Sequence, residues 1–138
     1  MIIADTGFFL ALANRNDRHH QAAARLFASM KEGVVTTWPV LTETSHLMAA
    51  RVGHAALMAF LRGVERGALD VFAIRAEHTS RLVELMEKYR ELPMDLADAS
   101  LVLLAEELGT GRILSTDQRD FRTYRWKNRR PFTNVLLP

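Results

Sequence analysis

The sequence predicts an α/β fold with a mainly parallel central sheet of four to five strands flanked by helices. Short apolar and β-branched runs alternate along the chain with longer segments that keep helical spacing. Glycine and proline stand where these segments would begin or end. Strands separated by helices pair in parallel through right-handed crossovers, and a chain of 138 residues is long enough for one core. We therefore expect a single domain over residues 1–138.

The first half of the chain predicts two strands and three helices. Ala22, Leu26 and Met30 keep helical spacing, and Gly33 is typical of the residue that ends a helix. Pro39 suits the first turn of the helix that follows. The predicted order is strand 1–5, helix 7–14, helix 19–31, strand 34–38 and helix 39–51.

The second half predicts three more helices and at least two more strands. Gly53 and Gly67 bracket one helix, and Gly109 ends a strongly apolar helix that follows Pro93. The predicted order is helix 54–66, strand 69–74, helix 76–91, helix 94–109, strand 112–116 and a short last strand in the tail.

The composition excludes several classes of protein and site. Hydrophobic residues make up 49% of the chain and charged residues 25%, as in a soluble globular protein. Without cysteine, the chain has no disulfide, thiolate metal site or cysteine nucleophile. No segment is long and charge-free enough to span a bilayer, and Asp5 interrupts the apolar N-terminus where a signal peptide would need continuity. We therefore expect a cytoplasmic protein that makes no membrane contact.

Asp5 follows a strand-like run of apolar residues and precedes another apolar run. Carboxylates are rarely buried unless they are paired or bind a metal, because desolvation costs several kcal/mol. In an open parallel sheet, ligands bind at the carboxyl ends of the strands. Asp5 and Asp117 each follow a predicted strand, and Glu43 and Asp98 lie near the starts of predicted helices. The topology therefore predicts that all four acids lie on one rim.

The predicted helix faces agree with this placement. Asp98 shares the apolar face of its helix with Leu101 and Val102, and Glu43 flanks an apolar stripe. Four ionised carboxylates in one cleft repel one another, whereas Mg²⁺ and Mn²⁺ bind oxygen ligands of this kind. Such a site activates water and stabilises charge during displacement at phosphorus. We therefore expect one or two Mg²⁺ or Mn²⁺ ions at this rim.

Four segments together resemble the PIN-domain ribonucleases, and within them the VapC-type toxins of toxin–antitoxin pairs. The segments are IIADTGFFLAL, VLTETSHLM, MDLADASLVLLAEELG and RILSTDQRDF, and they cover the chain in the family's order. The resemblance implies a PIN fold and a Mg²⁺- or Mn²⁺-dependent endoribonuclease. It also implies an RNA substrate, a cognate antitoxin and a homodimer.

The family's acidic residues fall on Asp5, Glu43, Asp98 and Asp117, which the resemblance therefore implies as catalytic residues and metal ligands. Its supporting hydroxyl falls on Ser115, where threonine is commoner.

A basic cluster in the C-terminal tail is a candidate RNA-binding surface. With the four acids set aside, 18 basic residues face 12 acidic ones. Basic side chains can follow the phosphates of RNA, and Tyr124 and Trp126 could stack on its bases. The candidate RNA contacts are Arg119, Arg122, Arg125, Trp126, Lys127, Arg129 and Arg130.

Other interpretations remain open at this point. Asp98 also suits the third position of a helix capped by Asp95, and Asp117 suits a turn after a strand. The whole chain could be a PIN-fold module that binds RNA or protein without cutting. A phosphatase of the haloacid dehalogenase type would need an acid two residues after Asp5, where Gly7 stands.

Overall fold

Five parallel strands form the central sheet of the computed structural model, which describes residues 1–138. The order across the sheet is β3-β2-β1-β4-β7. Ile3 of the central strand lies opposite Val35 on one side and Ile113 on the other. The strands are β1 (Ile2–Ala4), β2 (Val34–Thr37), β3 (Asp70–Phe72), β4 (Arg112–Leu114) and β7 (Thr133–Asn134). The predicted α/β class and parallel sheet are confirmed.

Seven helices accompany the sheet, and α6 is the most deeply buried of them. Every residue from 99 to 105 in α6 is buried, because this helix packs against β1, β2, α3 and α5. An apolar helix of this kind belongs in the interior. The helices are α1 (Thr6–Ala13), α2 (His20–Ser29), α3 (Trp38–Arg51), α4 (His54–Glu65), α5 (Thr79–Lys88), α6 (Leu96–Leu108) and α7 (Gln118–Thr123).

The structure differs from the prediction mainly at element ends and in the tail. The predicted helix 76–91 is a 3₁₀ turn, Ala76–His78, followed by α5. The helix predicted from residue 94 begins at Leu96, because the Asp95 side chain caps it.

The tail contains two elements that the sequence interpretation did not predict. Helix α7 follows β4, and an antiparallel hairpin pairs β5 (Arg125–Trp126) with β6 (Arg130–Pro131). Lys127 and Asn128 form the hairpin turn with positive φ angles of 50° and 61°. The predicted short last strand is β7.

The carboxyl ends of β1 and β4 lie side by side at one edge of the sheet. The backbone N–H of Asp5 donates to the carbonyl of Leu114 at 3.0 Å, so the segments that follow β1 and β4 start next to each other. Helices α1 and α7 start from this edge. None of the helices has the length and apolar character that crossing a membrane requires.

Candidate active site

A cleft of about 440 Å³ opens at the carboxyl edge of β1 and β4. Its walls come from the starts of α1, α6 and α7 and from one side of α3. All four acids predicted to meet at one rim line this cleft: Asp5, Glu43, Asp98 and Asp117. Asp95 and Asp120 line it as well, so six carboxylates face one space.

Asp5 is the most deeply buried of these acids, with 8% of its surface exposed. Its Oδ1 accepts a hydrogen bond from the Thr6 backbone N–H at 2.7 Å, and its Oδ2 accepts from Ser115 Oγ at 3.1 Å. Burial raises the pKa of Asp5 from 3.8 to about 7 despite these two hydrogen bonds, and the charges of Glu43 and Asp117 raise it further. The fold thus buries a carboxylate that has hydrogen-bond donors but no cationic partner.

Asp98 lies in the first turn of α6, opposite a buried tyrosine. Its backbone N–H donates to Asp95 Oδ1 at 2.8 Å, so the helix cap suggested by the sequence is present. The Asp98 side chain instead accepts a hydrogen bond from the Tyr124 hydroxyl at 2.9 Å. Burial raises the pKa of Asp98 to about 8, the charges of Asp95 and Asp5 add to the rise, and the Tyr124 hydrogen bond opposes it.

Glu43 and Asp117 complete the predicted set from opposite walls. Glu43 is half-buried in the second turn of α3, and burial followed by the Asp95 charge raises its pKa. Asp117 caps α7 by accepting from the Asp120 backbone N–H at 3.0 Å, so it also has the structural role that the sequence left open. Burial is the largest cause that raises the pKa of Asp117 as well.

The predicted hydroxyl, Ser115, connects two of the acids. Its Oγ donates to Asp5 and accepts from the Asp117 backbone N–H at 2.9 Å. Asn134 on β7 holds this residue in place, since its side-chain amide donates to the Ser115 carbonyl at 2.8 Å. Ser115 is fully buried and therefore orients Asp5 and Asp117 without facing the cleft itself.

The chemistry of the cleft fits a divalent cation, although no three acidic or histidine side chains form a preformed ligand cluster. Mg²⁺ binds through one or two carboxylates and keeps several waters, so a complete protein cage is not required. Each Asp5 oxygen accepts one hydrogen bond and keeps a lone pair for a ligand. The raised pKa values of all four acids reflect buried and mutually repelling negative charge, which a cation would offset.

The basic residues of the tail belong to two elements, α7 and the hairpin of β5 and β6. Arg119 and Arg122 are exposed on α7, and Arg119 lies 3.3 Å from Asp120 at the cleft. The exposed side chains of Lys127, Arg129 and Arg130 belong to the hairpin, whose turn is bound by Glu106 near the end of α6. Because α6 rises about 1.5 Å per residue, Glu106 lies about 12 Å along the helix from Asp98.

Three tail residues are committed to the fold, and the prediction that two aromatic rings stack on RNA bases is wrong. Tyr124 is fully buried and Trp126 is 6% exposed, with the Trp126 indole N–H donating to the Pro131 carbonyl at 3.0 Å. Arg125 Nη1 donates to the carbonyls of Arg122, Thr123 and Tyr124, which end α7. The Arg125 guanidinium therefore stabilises the C-terminal end of α7.

The sequence interpretation missed two features of the cleft. Gly7 allows close approach, because a Cβ at this position would collide with the Thr116 side chain on the opposite wall. Arg51 also lines the cleft and is the only cationic residue that does so. The sequence did contain a signal for Arg51. It follows Glu43 by eight residues in the same predicted helix, and residues spaced by four and eight lie on roughly the same side of a helix.

The fold and the site match a known family over most of the chain. The sequence model of the PIN domain family matches residues 2–127. This chain belongs to the PIN domain family. The matched range contains all four acids of the cleft and the six helices and strands that surround them: β1, α1, α3, α6, β4 and α7.

Relatives of this PIN domain include named ribonucleases. Ribonuclease VapC26 of Mycobacterium tuberculosis is 31% identical over 124 residues, which is 90% of this chain and 92% of the relative. The 23S rRNA-specific endonuclease VapC20 of the same organism is 46% identical over 59 residues, 43% of this chain and 45% of the relative.

Solved structures agree with the sequence relatives. The crystal structure of Mycobacterium tuberculosis VapC20, described as a toxin that cleaves the sarcin–ricin loop, superposes with a TM-score of 0.78 at 28% identity. It covers 86% of this PIN domain and 92% of that chain. PAE2754 from Pyrobaculum aerophilum gives a TM-score of 0.56 at 17% identity, covering 97% and 88% of the two chains, and shares the fold.

Proposed function

We propose that this PIN domain is a Mg²⁺- or Mn²⁺-dependent endoribonuclease that hydrolyses RNA phosphodiester bonds as the toxin of a toxin–antitoxin pair. The observation that carries the proposal is the convergence of Asp5, Glu43, Asp98 and Asp117 in one cleft. The ribonuclease names of relatives that align along the chain support the same activity. A toxin that cuts cellular RNA would act in the cytoplasm.

The four acids are the groups that would hold one or two ions. Asp5 and Asp98 come from adjacent buried elements, Glu43 faces them from α3, and Asp117 adds a ligand beside α7. When bound, such an ion supplies positive charge at the phosphate and activates water for attack at phosphorus.

The residues around the acids keep the proposed ligands in place. Ser115 and the Thr6 N–H fix both oxygens of Asp5, and Tyr124 fixes one oxygen of Asp98. The buried β1 strand lies beneath Asp5, so this carboxylate keeps one orientation. Orientation of ligands by such hydrogen bonds commonly changes metal affinity or activity 10- to 100-fold. No protein nucleophile is required, because the attacking group would be water.

The structure supports Arg119 and Arg122 more strongly than the hairpin residues as RNA contacts. Both are exposed on α7, which begins at the cleft with Asp117. Lys127 and Arg130 lie over the Trp126 ring at 5.8 and 5.3 Å, so part of their charge is held by that ring. We therefore propose that RNA approaches the cleft across α7, and that the hairpin makes at most peripheral contacts.

Two protein partners belong to the proposal: an antitoxin and a second copy of the chain. An apolar groove of about 410 Å³ between α1, α2 and α4 supports a protein contact, because large exposed apolar patches mark interaction surfaces. Phe27 in this groove is 50% exposed. Light scattering of the purified chain and of the complex with its antitoxin would measure both associations.

Cleavage of defined RNAs by the purified, antitoxin-free chain tests the proposed function. We expect cuts with Mg²⁺ or Mn²⁺ and none after removal of the metal by EDTA, with activity restored when the metal is added back. The RNA set should include a sarcin–ricin loop oligonucleotide, because VapC20 is named for that target, together with transfer and messenger RNA. Cleavage that persists in EDTA would contradict the metal mechanism. A folded chain that binds RNA but cuts none of these would favour the binding-module alternative.

Removal of the Tyr124 hydroxyl tests whether its hydrogen bond positions Asp98. We expect Tyr124→Phe to raise the pKa of Asp98 further, because the lost hydrogen bond favours the ionised form. Cleavage should fall about 10- to 100-fold, as for other groups that orient metal ligands. The fold should persist, since the ring stays between Tyr89 and Phe121. The pH dependence of cleavage and the thermal melting temperature measure these effects.

Tyr89→Phe is the matched control for that substitution. Tyr89 is also buried and packs edge-on against Tyr124, but its hydroxyl accepts from the Arg125 N–H and touches no cleft acid. Its loss should cost about 1 kcal/mol of stability and leave the pH profile of cleavage unchanged. Equal effects of the two variants on cleavage would mean that the aromatic cluster as a whole, and not the bond to Asp98, controls activity.

A further inference from the structure

Arg51 is the only cation that lines a cleft carrying six carboxylates. It lies in the last turn of α3, on the same face as Glu43 and Leu47, which also line the cleft. Eight residues separate Arg51 from Glu43, so it stands about 12 Å along the helix from the predicted metal ligand. This places a positive charge at one end of the cleft.

The Arg51 guanidinium has no bonding partner within the chain. Its side chain is exposed and takes part in none of the salt bridges, although six acids share its cleft. Arg81, Arg112 and Arg119, by contrast, each pair with a carboxylate. An unpaired guanidinium keeps its full donor fork for a planar or tetrahedral anion.

Binding of a polyanionic substrate requires positive charge in this acidic cleft. The cleft carries a formal balance of six carboxylates against one guanidinium, and RNA brings further negative charge with every nucleotide. A metal ion at the four predicted ligands would offset charge at the scissile phosphate only. A phosphate farther along the strand would meet uncompensated carboxylates unless a cation receives it.

We propose that Arg51 binds a phosphate of the RNA strand flanking the scissile linkage, and so sets the direction in which the strand lies across the cleft. This inference rests on the proposed ribonuclease function. A simpler role is interaction with the C-terminal end of the α3 dipole, where basic residues are favourable. Arg62 separates the two roles, because it occupies the last turn of α4, is exposed, and does not line the cleft.

RNA binding by non-cleaving protein tests the proposal directly. Arg51→Gln and Arg62→Gln are each made in the Asp5→Asn background, with a single-stranded oligonucleotide that the wild-type protein cuts as the probe. We expect Arg51→Gln to weaken binding about tenfold and to reduce the salt slope, d log K/d log [salt], by about 0.7 in magnitude. Arg62→Gln should change neither quantity. Arg51→Lys should retain the salt slope because it keeps the charge.

Neutral linkages in the probe identify the contacted phosphate. Methylphosphonate placed at one linkage at a time should weaken binding at one position flanking the cut, and this loss should disappear in Arg51→Gln. An unchanged salt slope and an identical linkage profile in Arg51→Gln would overturn the phosphate contact while leaving the nuclease intact. Failure of the wild-type chain to cut any RNA with metal present would instead remove the proposed function, and this inference with it.

Discussion

Asp5→Asn is expected to abolish RNA cleavage while leaving the protein folded and more stable at pH 8 in the absence of metal. Asp5 is the most deeply buried of the cleft acids, and it follows directly after the central strand β1. Loss of one ligand removes several kcal/mol of charge stabilisation from the reaction, and each 1.36 kcal/mol is a factor of ten in rate. We therefore expect cleavage to fall about 10³-fold or more.

Stability should move in the opposite direction from activity. An asparagine at position 5 still accepts from the Thr6 N–H and can donate to Ser115 Oγ, but it carries no buried charge. Thermal melting at pH 8 in EDTA, together with single-turnover cleavage rates, measures both effects. A catalytic role would be contradicted by a variant that cuts at the wild-type rate.

Two other acids provide controls for the loss of charge. Asp70→Asn removes an exposed carboxylate on β3, outside the cleft, and should leave cleavage and stability unchanged. Asp95→Asn removes a carboxylate from the cleft itself but keeps the α6 cap, because asparagine caps helices as well as aspartate does. A small effect of Asp95→Asn beside a large effect of Asp5→Asn would distinguish a metal ligand from general cleft charge.

The convergence of the four acids could be predicted from the sequence because the topology of the fold largely determines it. Residues after parallel strands and at the starts of the returning helices must share one edge, whatever the details of packing. Asp5, Asp98 and Asp117 follow from this rule, and the structure puts them with Glu43 in one cleft. The α/β class follows for the same reason, since the alternation of apolar strands and amphipathic helices is a local signal.

The residues that the sequence interpretation placed wrongly depend on non-local contacts. Tyr124 and Trp126 stand in a basic segment, yet aromatic neighbours and the Pro131 carbonyl bury them. Helix α7 has only six residues, too few for a reliable periodic signal, and it depends on the cap that Asp117 provides. Arg51 stands out only when the cleft is seen as a whole, because a single arginine at a helix end is unremarkable in a sequence.

The stability of the metal-free protein is expected to fall as the pH rises from about 4 to about 8. The folded-state pKa values of Asp5 and Asp98 are raised to about 7 and about 8, above the ordinary 3.8. Between the unfolded and folded pKa values the folded protein binds more protons than the unfolded chain, so the free energy of unfolding decreases as the pH rises. For Asp5 the cost reaches about 4 kcal/mol, which corresponds to roughly 15 °C in melting temperature.

A divalent cation should reverse this loss only where the acids are ionised. We expect saturating Mn²⁺ or Mg²⁺ to raise the melting temperature strongly at pH 8 and little at pH 5, because protonated carboxyls are poor ligands. Binding at 100 times the dissociation constant adds about 2.7 kcal/mol. Asp5→Asn should flatten the pH dependence in EDTA and reduce the stabilisation by metal at pH 8, while Asp70→Asn should follow the wild type. If the melting temperature in EDTA does not depend on pH between 4 and 8, Asp5 and Asp98 do not have the raised pKa values on which this prediction rests. If Asp5→Asn keeps the full metal effect, the ion binds elsewhere than at Asp5.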